Sequence, residues 1–382
     1  MKTLIIHDRF QFRGGAERLV LIMAKALNAD ILTEFWIDKE TFNKSEVPNK
    51  LYILDQGDPN IVVWRYFRAQ KNFIFKTRKI INKYNLIFFS GNNCLSAAIH
   101  LKKNQKHFLY CHSPVRHVFD LFKKFRKENK SILKKIIYYN IGAWGIRIIY
   151  WFGLYRFKIV IANSKNTQNR LWKYCRKKSQ VIWPPIQTDK FKWISQDDYY
   201  LSFGRVDKLK RVGDIVKAFQ QMPDKKLIIS SGGDDLENIK EMIKNHPSAS
   251  SASSQQASSW SGDNNIKILG WVSDDELKNL VGNCISAIYL PIDEDAGMVP
   301  LEANSAGKPV IVNYDGGFKE IIQDEVNGKF ISKDYNIQEI KNAVKWMSPV
   351  RALAMRDACE KQARKFSEEI FIKKIKEIIY GL

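Results

Sequence analysis

Short apolar runs alternate with longer amphipathic runs along most of the chain. Leu4–His7, Ile31–Phe35, Leu51–Leu54, Leu86–Ser90, Phe108–Cys111 and Ile159–Ala162 are each four or five residues of mainly apolar character. Runs this short, apolar on both faces, predict fully buried strands. Helical spacing fills most of the stretches between them. Ala16, Leu19, Val20, Met23 and Leu27, for example, fall on one helix face. A second series follows Trp183-Pro184-Pro185. Its predicted strands are Tyr200–Phe203, Leu227–Ser230, Ile266–Gly270, Ala287–Leu290, Pro309–Val312 and Lys329–Ile331, and its helices include Val212–Gln221, Leu236–Lys244, Asp274–Val281 and Ile337–Met347. Ser273-Asp-Asp-Glu276 reads as a capping box for the third of these helices. Strand–helix alternation implies a parallel sheet covered on both faces. The two series do not repeat in sequence but do repeat in architecture. The prediction is therefore an α/β chain of two doubly wound domains facing across a cleft, with the stiff proline pair as hinge. Ligands of such sheets sit at the carboxyl ends of the strands, which makes strand-ending and helix-opening residues the candidates for chemistry.

Composition narrows the class without changing this picture. Of 382 residues, 45% are hydrophobic and 27% charged, a globular balance that excludes a disordered or fibrous chain. The length accommodates two medium-sized cores. Cys94, Cys111, Cys175, Cys284 and Cys359 show no metal-ligand spacing, and their odd number in a large chain argues against a disulfide framework. A reducing compartment is expected. The first apolar stretch is too short for a secretion signal and reads as a strand.

Charge does change the picture. Lys and Arg number 62 against 40 Asp and Glu, a formal +22 that attracts nucleic acid, anionic lipid or phosphorylated substrates. Residues 121–180 hold sixteen Lys/Arg and one acid, Glu128. Within them, Ile136–Tyr155 has the length of a membrane span. Arg147 near its centre, Gly142, Gly145 and Gly153, and basic residues on both flanks speak against one. Two readings remain. One is an interfacial basic-aromatic surface using Trp144, Tyr150, Trp151, Phe152 and Tyr155; the other is a buried helical pair with solvated lysine ends. Ser248–Ser261, with eight serines and no charge, reads as a flexible linker outside function.

Five segments carry candidate chemistry. Pro291-Ile-Asp-Glu-Asp-Ala-Gly-Met-Val-Pro-Leu-Glu302 ends a strand in an acidic turn, after which Gly297 opens a short helix that Gly307 closes. Glu294 and Glu302 stand eight positions apart, and the N–H groups around Gly297, Met298 and Val299 form an anion site with the helix dipole. Leu201-Ser-Phe-Gly-Arg-Val-Asp-Lys-Leu-Lys-Arg211 ends another strand. Its Arg205 and Lys210 offer a fork-shaped guanidinium and a compact ammonium suited to a diphosphate. Gly14 and Gly15 precede a helix, so backbone there can approach a phosphate or sugar closely. Tyr110-Cys-His-Ser-Pro ends a strand, and since strand neighbours point to opposite faces, Cys111 and His112 should not form a dyad. Ser230-Ser-Gly-Gly-Asp234 is a glycine turn at a further strand end. Each segment alone also has a plain structural reading as a turn, a cap or a solvated loop, and Ser164 after Ala162-Asn163 reads as a helix N-cap.

Taken together, and over nearly the whole chain, these segments resemble the family-four retaining glycosyltransferases, which have the B-type fold of two Rossmann-like domains. Glu294 and Glu302 match that family's Glu-x7-Glu signature. The resemblance implies that Glu294 contacts hydroxyls of the donor sugar and Glu302 the nucleotide ribose, while Arg205 and Lys210 clasp the donor diphosphate. Ala296 departs from the pattern, standing where many members carry Phe, and alters the sugar pocket. Gly233 falls where the family has a glycine loop beside the base. The Gly14-Gly15-Ala-Glu-Arg18 string and Cys111-His-Ser-Pro114 are similar to a mannosyltransferase-like branch of surface-polysaccharide assembly, in which His112 would hydrogen-bond a sugar hydroxyl. By this resemblance residues 1–183 form an acceptor-side domain, 184–366 a nucleotide-sugar domain, and 367–382 a helix packing back on the first.

The implied reaction is retaining hexosyl transfer from a nucleoside diphosphate sugar, GDP-mannose by the branch, to a lipid-linked glycan acceptor. Front-face attack needs no protein nucleophile, and cationic side chains at the diphosphate make a metal or other cofactor unnecessary. The expected place is cytoplasmic, peripheral on the inner face of the plasma membrane, with an anionic membrane surface as partner and no nucleic acid. Two rival classes are a basic nucleic-acid-binding protein, for which no recognition module is visible, and a carbohydrate-binding protein of the same fold without transfer activity.

Overall fold

The computed structural model describes residues 1–381 apart from 39, 57–64, 129–130, 132–141 and 246–264. The Ser-rich stretch, and the part of Ile136–Tyr155 before residue 142, lie outside the described residues. The polypeptide divides into two units, Met1–Pro184 with Ile372–Leu382, and Pro185–Phe371. The change of unit falls between the two prolines of Trp183-Pro184-Pro185.

The first unit is built on seven strands: β1 (Thr3–His7), β2 (Asp30–Thr33), β3 (Leu51–Ile53), β4 (Leu86–Ser90), β5 (Lys106–Cys111), β6 (Ile159–Ala162) and β7 (Gln180–Val181). Their order is β3-β2-β1-β4-β5-β6-β7 and every pairing is parallel. Ile5 stands opposite Phe88, and Phe88 opposite Phe108. β1 and β4 are buried at every residue, because helices cover both faces of a parallel sheet. This explains their continuous apolar runs. Leu4, Ile6, Phe89, Leu109, Tyr150 and Phe157 pack into one core.

Six strands form the second sheet: β8 (Tyr200–Ser202), β9 (Leu227–Ile229), β10 (Ile266–Ile268), β11 (Ala287–Tyr289), β12 (Val310–Asn313) and β13 (Gly328–Ile331). Their order is β10-β9-β8-β11-β12-β13, again all parallel. In each sheet the order reverses once, between β1 and β4 in the first and between β8 and β11 in the second. Loops leaving adjacent strands diverge at such a point and leave a crevice for ligand. Arg205 and Lys210 follow β8 and Glu294 follows β11, so the two main motifs adjoin there.

Departures from the predicted elements are local. The second strand ends at Thr33 instead of Phe35, and only the isolated bridge between Phe10 and Trp36 continues it. Strand β7 and the helices Pro349–Ala354 and Arg356–Arg364 were not foreseen. The closing helix runs Glu368–Tyr380, with the change of unit inside it at Phe371–Ile372. Ser164 caps its helix by accepting from Thr167 N at 3.0 Å, and Ser273 accepts from Glu276 N at 3.1 Å. All five cysteines are free and buried.

Candidate active site

In the second unit the site is assembled from four loops. Strand β8 ends at Ser202, and Gly204 passes so close to Tyr289 that a Cβ would lie 2.7 Å from its ring. Arg205 is exposed. Val206 N donates to Gly232 O at 3.0 Å, and Val206 O accepts from Asp235 N at 3.1 Å. Gly233, with φ of +155°, lies against Val206 O at a spacing no side chain allows. These contacts lock the Arg205 loop to the glycine turn after β9.

The backbone then turns on Asp207, whose Oδ1 accepts from Leu209 N at 2.9 Å and Lys210 N at 3.2 Å. That turn aims Lys210 at the acidic loop. Lys210 Nζ donates to Glu294 Oε2 at 2.6 Å, and each side chain is 20% exposed. The ammonium also lies 5.2 Å from the centroid of the Tyr289 ring. Burial pulls Lys210 down, but the Glu294 carboxylate and Tyr289 outweigh it and hold the ammonium above its ordinary value. Burial likewise raises the Tyr289 phenol.

Glu294 is placed by backbone as well. Ile292 N donates to Leu209 O at 2.8 Å, and Gly317 N to Glu294 O at 2.9 Å. Asp293, in left-handed conformation at φ +47°, donates its N–H to Asp315 Oδ2 at 2.9 Å. The loop after β12 thus clamps the loop after β11. Gly297 has φ of +74°, and a Cβ there would lie 2.5 Å from the Phe318 ring, so this position requires glycine. It caps the helix Met298–Ser305, whose first residues Met298 and Val299 are half-buried. Glu302, also half-buried, sits one turn further along it.

Trp271 belongs to this unit and was not singled out in the sequence. It follows β10, is 74% exposed, and holds its indole against Gly232 of the glycine turn. The available signal was a Gly-Trp pair directly after a short apolar run.

In the first unit His7, Ser90 and His112 come together at the ends of β1, β4 and β5. His7 Nδ1 meets Ser90 O at 2.5 Å, and Ser90 Oγ meets His112 Nε2 at 2.8 Å. Cys111 turns away, with Sγ 3.8 Å from Tyr150 OH, and burial pushes its thiol up to about 12. No Cys111–His112 dyad forms. Burial, assisted by His7 and opposed by Asp8, lowers His112 to about 3, so its imidazole is neutral at physiological pH. Asp8 accepts from Asn92 N and Cys94 N, both at 2.8 Å. Gly14, at φ −88°, caps the helix Gly15–Leu27, and the Glu17 carboxylate curls back against it. Beneath these loops Glu34 is fully buried; its Oε1 lies 3.5 Å from Asn72 Nδ2, and its Oε2 has no hydrogen-bond partner among the described residues. Burial raises Glu34 to about 7, against the pull of Arg9. Sequence reasoning missed Ser90, Asp8 and Glu34. All three stand at or just beyond strand ends. No group of three or more His, Cys, Asp or Glu capable of holding a metal occurs among the described residues.

Comparison with known proteins fixes the chemistry class. Residues 185–366 match the family described as Glycosyl transferases group 1. The second unit carries the domain of this family, and the chain is a glycosyltransferase. Over 83% of its length it is 27% identical to the alpha-1,3/1,6-mannosyltransferase ALG2 of Saccharomyces cerevisiae, covering 70% of that protein. It is 27% identical over 163 residues to the alpha-monoglucosyldiacylglycerol synthase of Acholeplasma laidlawii, 41% of this chain and 37% of that one. Among solved structures, the Anabaena protein HepE, in complex with UDP and glucose, superposes at TM-score 0.76 with 16% identity and full coverage of both chains. The sucrose-phosphate synthase of Thermosynechococcus elongatus superposes at 0.79 with 15% identity, covering 100% of this chain and 99% of that one. The glycosyltransferase therefore has the two-domain α/β fold of the B type.

Proposed function

We propose that this glycosyltransferase moves mannose from GDP-mannose onto a lipid-linked glycan acceptor with retention of anomeric configuration and without a metal. The observation that carries the reading is the Lys210–Glu294 ion pair at the reversal point of the second sheet. It puts a cation fit for a diphosphate in contact with a carboxylate fit for sugar hydroxyls. The similarity to ALG2 mannosyltransferases supports the sugar.

In this reading Arg205, Lys210 and the N–H groups of Gly297, Met298 and Val299 receive the diphosphate, Gly233 lies beside the base, and Glu302 binds the ribose. Charge grows on the diphosphate as the bond from its oxygen to the anomeric carbon breaks, so the cations stabilise the transition state more than the ground state. The acceptor oxygen bonds that carbon on the face the diphosphate leaves. Its proton passes to the departing phosphate oxygen. Neutral His112 holds a sugar hydroxyl, and the Gly14-Gly15 turn lets backbone approach the substrate. The transfer takes place at the cytoplasmic face of the plasma membrane, where the acceptor's lipid is anchored.

Thermal-shift titration with GDP, UDP and their sugars, joined to a turnover assay, tests the proposal. GDP and GDP-mannose should stabilise the protein. Glu302→Ala should lose nucleotide binding, whereas Glu294→Ala should keep it and lose turnover. Normal nucleotide affinity in Glu302→Ala overturns the ribose role. Stabilisation by UDP-glucose alone overturns the donor, and activity lost in EDTA but restored by Mg²⁺ or Mn²⁺ overturns metal independence.

A further inference from the structure

We infer that the outer face of the helix Ala143–Leu154 is a docking surface for an anionic lipid bilayer. The inference rests on the proposed lipid-linked acceptor for its purpose, but on the helix itself for its evidence. This helix has two apolar faces instead of one. Ala143, Ile146, Tyr150, Gly153 and Leu154 are buried, and Gly153 comes so close to the segment Cys94–His100 that a Cβ would lie 2.7 Å from Leu95 O. On the opposite side stand Trp144, Ile148 and Phe152 at intervals of four residues, followed by Tyr155. They are 54, 59, 57 and 56% exposed. A surface helix ordinarily carries polar residues there. The stripe runs about 16 Å along the axis, and Trp172 on the next helix, Lys165–Cys175, adds a fifth exposed apolar body.

Arg147, the one charged residue of the helix, does not interrupt the stripe. Its guanidinium lies over Phe119, Phe122 and Trp144, and its Nε donates to Val118 O at 2.7 Å. Two of the aromatics expected at an interface are differently employed: Tyr150 is buried against Cys111, and Trp151 is packed on the core. Ile148, which the sequence did not suggest, takes a place in the row.

Charge identifies the occupant. Exposed Lys123, Arg126 and Lys127 precede the helix, Arg156 and Lys158 follow it, and Lys173, Arg176 and Lys178 accompany Trp172. Glu128 is the single acid between residues 121 and 180. Asp120, just before them, is neutralised by Arg116 at 2.9 Å and Arg170 at 3.6 Å. An apolar ridge with a rim of one sign fits a surface that is apolar within and anionic at its headgroups. Pairing with a second copy would set the same cations against one another. Trp and Tyr at the ends of the row suit the headgroup level, so the helix lies in the plane of the interface.

The test uses the full chain and vesicles of phosphatidylcholine, alone or mixed equally with phosphatidylglycerol. Cosedimentation should be strong with the mixture, weak with phosphatidylcholine, and reduced by salt. Two variants separate the forces: Trp144→Ser/Ile148→Ser/Phe152→Ser, and Lys123→Ser/Arg126→Ser/Lys127→Ser/Arg156→Ser/Lys158→Ser. Each should lower partitioning by about tenfold or more and keep turnover of a water-soluble acceptor analogue. Should the apolar variant misfold, the parent still answers: brominated acyl chains should quench a fluorescence component that Trp144→Phe removes. No vesicle binding at low salt, parental binding by the apolar variant, or no such quenching overturns the inference. So does a change from dimer to monomer in the apolar variant with vesicle binding intact. Vesicle binding without use of a lipid-linked acceptor would refute the acceptor and leave the docking face standing; use of that acceptor without vesicle binding would do the reverse.

Discussion

Replacing Lys210 by Met removes the ammonium and keeps the bulk of the stem. At the 2.6 Å contact with Glu294 the two charges attract strongly, and each side chain is 20% exposed. Two unit charges about 4 Å apart interact by roughly 4 kcal/mol at an effective dielectric near 20. Partial desolvation of both groups offsets much of that, which leaves a coupling of about 1–3 kcal/mol. The expected pattern is a double-mutant cycle in which Lys210→Met and Glu294→Gln each destabilise the second unit, while the double variant is less destabilised than their sum. Native-state hydrogen exchange at β8 and β11 amides reads the second unit without requiring both units to unfold together. Steady-state turnover of the same proteins adds the chemical half. Loss of one cation from a developing phosphate anion should cost about 100-fold to 1,000-fold in kcat. Single effects that add within about 0.5 kcal/mol would refute the coupling, and near-normal kcat in Lys210→Met would refute the diphosphate role.

Three further outcomes are expected. Glu34→Gln should stabilise the protein increasingly as pH rises from 4.5 to about 7. The buried acid is raised in the folded state, so its proton is held there and charging it opposes folding; the gain should reach about 3 kcal/mol above that window, as the melting temperature will show. A difference independent of pH would refute it. Ser90→Ala should lower turnover about tenfold by releasing His112 Nε2, with little change in nucleotide affinity and no new inflection near pH 6.5, since His112 stays neutral there; unchanged turnover would show that Ser90 does not position it. Trp271→Ala should weaken GDP binding by about 1–3 kcal/mol in calorimetry, because its exposed indole stands against the glycine turn proposed to adjoin the base and offers it a stacking face; it should leave the melting temperature of the free protein unchanged, and parental GDP affinity would refute the stack.

The strands were legible because the parallel sheets are covered on both faces, which turns β1, β4 and β11 into unbroken apolar words. Strand β7 was not, since Gln180–Val181 is two residues long and held by its neighbour β6 rather than by its own pattern. The carboxylates, cations and glycines of the second unit could be named from their motifs. Their pairing could not. Lys210 and Glu294 are 84 positions apart, and only the strand order brings β8 beside β11. Ser90 and Glu34 were invisible for another reason. Ser90 ends an apolar run and Glu34 interrupts one, and nothing in a run tells a satisfied hydroxyl from one that meets a histidine 22 positions away, or an exposed carboxylate from a buried one.

The closing helix has a consequence for the order of synthesis. Ile372–Leu382 belongs to the first unit, where Ile375 and Ile379 are buried and Lys106 Nζ reaches Ile379 O at 3.4 Å. The first unit is therefore begun before the second and completed after it. While the second unit is being translated, the apolar surface that Ile375 and Ile379 will cover stays open to water, or to any chaperone that recognises such surface. A fusion or truncation made beyond Phe371 would fall on the half of the molecule farthest from it in sequence, and an expression failure caused there should be sought at Lys106 and its neighbours.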